Sequence, residues 1–197
     1  MLKKIVIIGP ESTGKSTLCE QLAQHYNTMW CPEFAREYLL NYGMDYDYDD
    51  LLTIAKGQVE LEEEHIQKVK KTKSQKNKKQ KHHSSGLSDL PTSRLLFIDT
   101  NMYVMKVWCE FVFGKCHPWI LEQIKKRKYD LYLLCNTDLP WVKDELREYP
   151  DLETRQKLYH IYKNIMISQP VPWVDISGDN EERLKRAVKA VEKLISS

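Results

Sequence analysis

Eight consecutive residues carry the densest chemistry in the chain: Gly9-Pro10-Glu11-Ser12-Thr13-Gly14-Lys15-Ser16. A loop of the form G-x-x-x-x-G-K-S turns its backbone N–H groups inward and ends in an ammonium and a hydroxyl, a combination that cradles polyphosphate. Gly14 lets the backbone approach closely, Lys15 can reach terminal phosphates as a point charge, and the Ser16 hydroxyl can join a Mg²⁺ shell. Gly9, Glu11, Ser12, Thr13, Gly14, Lys15, Ser16 and Thr17 are therefore the expected nucleotide-binding residues, and ATP and Mg²⁺ the expected cofactors. The flanks agree. Ile5-Val6-Ile7-Ile8 reads as a buried strand, and Thr17 to Ala23 as a helix whose positive dipole end points at the same spot. A turn that merely joins strand to helix is the plainer alternative, and the flanking pattern argues against it.

Two carboxylates and three arginines are placed to complete a site for phosphoryl transfer. Glu33 follows the brief apolar stretch Met29-Trp30-Cys31 and Pro32 and opens a helical pattern through Leu40 that includes Arg36. Ligands of open α/β sheets sit at the carboxyl ends of strands, so both side chains are expected to face the site; a surface ion pair on the helix is the competing reading. Asp99 ends the apolar run Leu95-Leu96-Phe97-Ile98, where an aspartate can hold Mg²⁺ directly or through water, although it could instead cap the helical stretch Met102 to Phe113. Ser16 and Asp99 are the expected metal ligands. Trp141 to Gln169 reads as helical and charged with a break at Tyr149-Pro150, and Arg147 and Arg155 flank that break. Arginines on a lid over residues 141–155 would neutralise charge that builds on a transferring phosphoryl group. Lys15, Glu33, Arg36, Asp99, Arg147 and Arg155 form the expected catalytic set. The aromatic run Met102 to Phe111 reads as core and His117 as a capping or packing residue.

The elements that must position these groups alternate regularly. Apolar strands at Ile5–Ile8, Met29–Cys31, Leu95–Asp99, Leu131–Cys135 and Val171–Ser177 are separated by helical patterns, which argues an α/β fold with a five-stranded parallel sheet covered on both faces. At 197 residues the chain is of single-domain size, 1–197. A long helix is expected from Asp47 to Lys71, capped by Asp49 or Asp50. Residues 72–93, dominated by Lys, Gln, Ser and His, read as a mobile insertion.

Lys68 to Lys81 contains eight lysines and no acid, which leaves 22 basic against 28 acidic residues elsewhere under a net charge of +2. Overall basicity is thus no argument for a nucleic-acid partner, and His82 and His83 are poor candidates for metal. The five cysteines lack C-x-x-C spacing and read as reduced thiols. No run is long enough to span a bilayer and none resembles a signal peptide, so a cytoplasmic protein is expected. Nothing in the pattern sets an oligomeric state.

With these residues in view the chain resembles the ribosylnicotinamide kinase domain of the NadR family, among the P-loop nucleoside and nucleotide kinases. The landmarks are G-P-E-S-T-G-K-S at 9–16, P-E-F-A-R-E-Y at 32–38, F-I-D-T at 97–100, G-K-C-H-P at 114–118 and N-T-D-L-P-W-V-K-D-E-L-R at 136–147. The resemblance implies a three-layer P-loop fold of strand order 2-3-1-4-5 and an ATP-dependent kinase acting on the 5′-hydroxyl of nicotinamide riboside, a small-molecule nucleoside. It implies that Glu33 orients or deprotonates that hydroxyl, that Asp99 serves Mg²⁺, and that the arginines of the 141–155 segment belong to a lid. Asn101 stands where the resemblance leads one to expect a second acid. The DNA-binding and adenylyltransferase parts of the full regulator find no match here, so transcriptional regulation is not carried over. The alternatives are another nucleoside or nucleotide as acceptor, or a nucleotide-gated ATPase that binds polyanions through the basic insertion.

Overall fold

The computed structural model describes residues 1–79 and 95–196. Strand β1 (Lys3–Ile8) lies at the centre of the sheet, and its Ile5 to Ile8 run is fully buried, as only a strand covered on both faces can be. Burying each such aliphatic side chain is worth about 1.5–3 kcal/mol, so the position of this run dictates where the layers close. Around it stand β2 (Met29–Cys31), β3 (Leu95–Asp99), β4 (Leu131–Cys135) and β5 (Trp173–Ile176) in the order β2-β3-β1-β4-β5, with every neighbouring pair parallel. This is the sheet that the sequence leads one to expect.

Alternate residues along each strand face opposite layers. Ile5, Ile7, Phe97 and Leu133 pack on α1 (Lys15–His25) and α7 (Asn180–Ser196) through Leu18, Leu22, Ala187 and Val191. Val6, Ile8, Ile98 and Leu134 pack on α3 (Tyr48–Lys79), α4 (Met102–Phe113) and α6 (Leu152–Ser168). A third cluster joins α2 (Phe34–Tyr42) and α5 (Pro118–Lys126) to α3 and α4 around Leu51, Ile54, Met105 and Ile120. At the amino end of the strands an ionic cluster ties α3 to the sheet. Glu62, only 2% exposed, accepts from Lys4 Nζ at 3.1 Å, from the Arg127 guanidinium and from the Tyr129 hydroxyl at 2.9 Å.

Three local expectations are revised. The cap of α3 is Asp47, whose Oδ1 accepts from the amides of Asp49 and Asp50, while Asp50 returns a bond to the Asp47 amide in the manner of a capping box. The same helix runs to Lys79 rather than stopping at Lys71, because the unbranched Lys and Gln residues that follow are good helix formers and no Gly or Pro intervenes. The first part of the expected insertion is therefore helical, and residues 80–93, with His82 and His83, lie outside the described residues. Finally, the expected helix over Trp141 to Tyr149 is absent: this stretch is irregular, and α6 begins only after Pro150, capped by the Asp151 carboxylate on the Thr154 amide. The four buried cysteines Cys19, Cys31, Cys109 and Cys135, and Cys116 at the margin, are all free thiols. No described helix is long and apolar enough to cross a membrane.

Candidate active site

The loop between β1 and α1 is built by close approach and by left-handed backbone. Gly9 adopts φ +143, and a Cβ there would meet the Cys135 carbonyl oxygen at 2.7 Å, so only glycine lets β1 turn beside β4. Gly14 (φ +74) is the N-cap of α1, and Ser12 also lies in the left-handed region at φ +54. Such alternation gathers successive amides into an anion-binding nest at the positive end of α1. Thr13, fully buried, donates its hydroxyl to the Pro10 carbonyl at 2.7 Å, and Lys15 Nζ rests on the same carbonyl at 2.9 Å.

Across the loop lies Asp99, at the carboxyl end of β3 and 1% exposed. Its Oδ2 accepts from the Ser16 hydroxyl at 2.5 Å, and its Oδ1 is buried without a partner. Burial, and after it the Glu33 carboxylate, push the Asp99 carboxyl up from its ordinary 3.8 to about 6, against the pull of Lys15 and the Ser16 bond. Asp99 does not cap α4. That task falls to Asn101, whose Oδ1 accepts from the Tyr103 amide at 3.1 Å while its Nδ2 donates to the Tyr132 hydroxyl at 3.2 Å. The orphaned Asp99 oxygen beside a hydroxyl suits a divalent ion. Among the described residues no cluster of three or more His, Cys, Asp or Glu could hold a metal. An ion at this point would take one carboxylate, one hydroxyl, and oxygens of phosphate and water, the shell that magnesium favours.

Glu33 is the N-cap residue of α2 but makes no cap bond with its side chain. Instead its Oε1 accepts from the Thr100 hydroxyl at 3.1 Å. Thr100 is held at φ +76, a costly conformation for a β-branched residue, which aims its hydroxyl at Glu33 from the turn that follows Asp99. Nothing in the sequence distinguishes Thr100 beyond its place after Asp99.

The irregular stretch 142–149 lies over the loop as a strap. The Glu11 carboxylate accepts from the amides of Glu148 at 3.0 Å and Tyr149 at 2.6 Å, and Ser12 Oγ accepts from the Val142 amide at 3.0 Å. Arg147 donates to Ser12 Oγ at 3.4 Å and to the Val142 carbonyl. The strap is also tied to α2 by Arg36, which meets Asp144 at 3.2 Å. The cavity beneath it, partly open to solvent, measures about 350 Å³ and is lined by Lys15, Glu33, Arg36, Asp99 and Arg147 together with the whole loop 9–17. That volume falls within the range of small-molecule sites.

The lining is also rich in aromatics. Trp30, Trp108, Phe111, Tyr149 and Tyr162 belong to it with Val104 and Val107. The aromatic run of α4 is thus divided: Met102, Met105 and Cys109 enter the core, and the opposite stripe faces the cavity. Trp108 is fixed by its indole N–H, which donates to the Tyr46 hydroxyl at 2.9 Å, and that hydroxyl donates in turn to Glu148 of the strap. A helical period read on α4 could have exposed this second stripe.

One expected catalytic residue stands elsewhere, and His117 packs as the sequence reads it. Arg155 lies in α6, 4% exposed, outside the cavity lining, with Nε and Nη1 unpartnered. His117 stacks on Tyr48 at 3.6 Å and bonds the Tyr48 carbonyl through Nε2 at 2.8 Å, a packing role.

A family described as an AAA domain matches residues 4–183. The chain belongs to this AAA-domain family. Trifunctional NAD biosynthesis/regulator proteins NadR of Salmonella typhimurium and Escherichia coli are each 26% identical to it over 199 residues, or 98% of this chain. The chain spans 43% of those relatives' length. Among solved structures, this AAA-domain protein is similar to NadR in complex with NR, with a TM-score of 0.73 at 19% identity over 100% of this chain and 52% of the other. It also matches thymidylate kinase from Ehrlichia chaffeensis, with a TM-score of 0.58 at 14% identity over 96% of this chain and 98% of that one. The AAA-domain chain therefore has the fold of the P-loop kinases, and its sheet order is theirs.

Proposed function

We propose that the protein is an ATP-dependent nucleoside kinase that phosphorylates the 5′-hydroxyl of nicotinamide riboside. The observation that carries this reading is one cavity lined both by the phosphate loop and by five aromatic side chains, with Glu33 among its lining residues. The likeness to NadR relatives and to the NR complex supports the choice of acceptor. Trp108 and Tyr149 offer π faces, and Asp144 and Glu148 offer negative charge, to a nucleoside whose pyridinium ring is cationic.

In this scheme the amides of loop 9–16 and Lys15 hold the ATP phosphates. Glu33, oriented by Thr100, accepts or aims the hydroxyl proton. The alkoxyl oxygen bonds to the γ-phosphorus as the bond to the β-phosphate oxygen breaks, and ADP leaves. Arg36 and Arg147 exchange their present partners for the oxygens of the transferring group. A magnesium ion held by Ser16 and Asp99 would draw charge from the β- and γ-phosphates. The protein's own contribution is chiefly positioning and charge stabilisation.

Coupled ADP release against a panel of nucleosides and thymidylate tests the proposal. Stimulation by nicotinamide riboside well above every uncharged nucleoside is expected. Release driven only by another acceptor, or by none, would overturn it.

A further inference from the structure

Arg183, in the first turn of α7, is 3% exposed and lies outside the cavity lining, yet its guanidinium reaches three loops at once. Nη1 donates to the Thr13 carbonyl at 2.9 Å. Nη2 donates to the Asn136 carbonyl at 3.0 Å and to the Asp138 carboxylate, and Nε donates to the Gly178 carbonyl at 2.8 Å. Asp138 also accepts from the Gly178 amide at 2.6 Å, so the turns after β4 and β5 are tied to each other as well as to α7.

The bond to Thr13 bears on ligand binding through the geometry of the peptide unit. A trans peptide is planar, so the carbonyl of Thr13 and the amide N–H of Gly14 point in opposite directions. Thr13 is fully buried, so its carbonyl needs a partner, and Arg183 supplies one. A guanidinium that grips that carbonyl from the side of α7, away from the cavity, turns the Gly14 N–H toward the cavity. The left-handed Gly14 keeps this peptide orientation available, and the Thr13 hydroxyl on the Pro10 carbonyl and the Leu18 amide on the Gly14 carbonyl hold its flanks, while the Thr13 carbonyl itself is gripped by Arg183.

We propose that Arg183 is a positioning residue of the phosphate nest, holding the Thr13–Gly14 peptide so that its amide faces the polyphosphate. The inference rests on reading the loop 9–16 as the phosphate site. It assigns to a helix at the opposite end of the chain a share in setting affinity for the phosphate donor. A fork of donors is required: one ammonium cannot reach three loops from a single point, so lysine is not an equivalent.

The test compares wild type with Arg183→Lys and Asp138→Asn by calorimetric titration of inorganic tripolyphosphate, by steady-state kinetics and by thermal melting. Arg183→Lys is expected to weaken tripolyphosphate about tenfold, the scale of one charge-assisted hydrogen bond, and to raise KM for ATP similarly while KM for the nucleoside stays within twofold. Asp138→Asn leaves the arginine in place but loosens it, so a weakening of about threefold is expected; it carries the test if Arg183→Lys does not fold. A folded variant with wild-type affinity for tripolyphosphate would overturn the inference, as would an equal rise in both KM values, which would mark general loosening. Failure of the wild type to bind tripolyphosphate would overturn the reading of the loop itself.

Discussion

At Glu33 and Asp99 the burial of charge sets what each carboxylate can do. Glu33 stands at the end of β2 with one hydroxyl bond from Thr100, and it remains half-buried in the cavity. Glu33→Gln keeps the shape and removes the base, so kcat should fall about 100-fold with KM for the nucleoside little changed. A change confined to KM would make it a binding residue instead. Asp99 is different, because its desolvation raises its pKa to about 6. Between pH 4 and 6 the folded protein then binds more protons at this site than the unfolded chain, so the slope of stability against pH is negative. The ligand-free protein should lose stability as pH rises across that window, and Asp99→Asn should flatten the profile. Urea titrations at several pH values would decide it.

At the scale of elements, the strap 142–149 and helix α6 divide the work that sequence alone would give to one lid. The strap is held by polar bonds to Glu11, Ser12, Arg36 and Tyr46 and by the packing of Leu146 and Tyr149 on the core, while Val142 is 60% exposed. Glu11→Ala removes two acceptors at once, so trypsin should cut after Lys143 or Arg147 several-fold faster than in wild type. Equal rates would show that the strap needs no such hold. Arg155, on α6, stands apart from this traffic. A buried guanidinium with unpartnered nitrogens is costly, and its replacement by an apolar side chain of similar length removes that cost. Arg155→Met should hold or raise the melting temperature and lower kcat by less than tenfold. A loss like that expected for Glu33→Gln would return it to the catalytic set.

For the whole molecule, opposite ends of the sheet carry different burdens. The Lys4, Glu62, Arg127 and Tyr129 cluster bolts the amino end, where Glu62 is 2% exposed, whereas the cavity opens at the carboxyl end. Glu62→Ala strands buried cationic partners and should cost about 3–5 kcal/mol of stability. At a temperature where the variant is folded, kcat should match wild type, and a denaturant melt paired with the ADP-release assay checks both. Much of this layout was legible beforehand. The phosphate loop, the five apolar strands and the free cysteines were all readable because they depend on local chemistry and on periods of two or 3.6 residues. In α3 the cap is Asp47 rather than Asp49 or Asp50 and the helix extends eight residues past Lys71 to Lys79, since helix ends are decided by small competing terms. What only the tertiary structure decided are the long-range pairings. Arg36 finds Asp144 at a separation of 108 residues, Thr100 finds Glu33 at 67, and Arg183 finds Thr13 at 170. A sequence specifies which groups can donate, accept or bury themselves. Which of them meet depends on how the layers close around β1, and that closure is settled by the packing of the entire core at once.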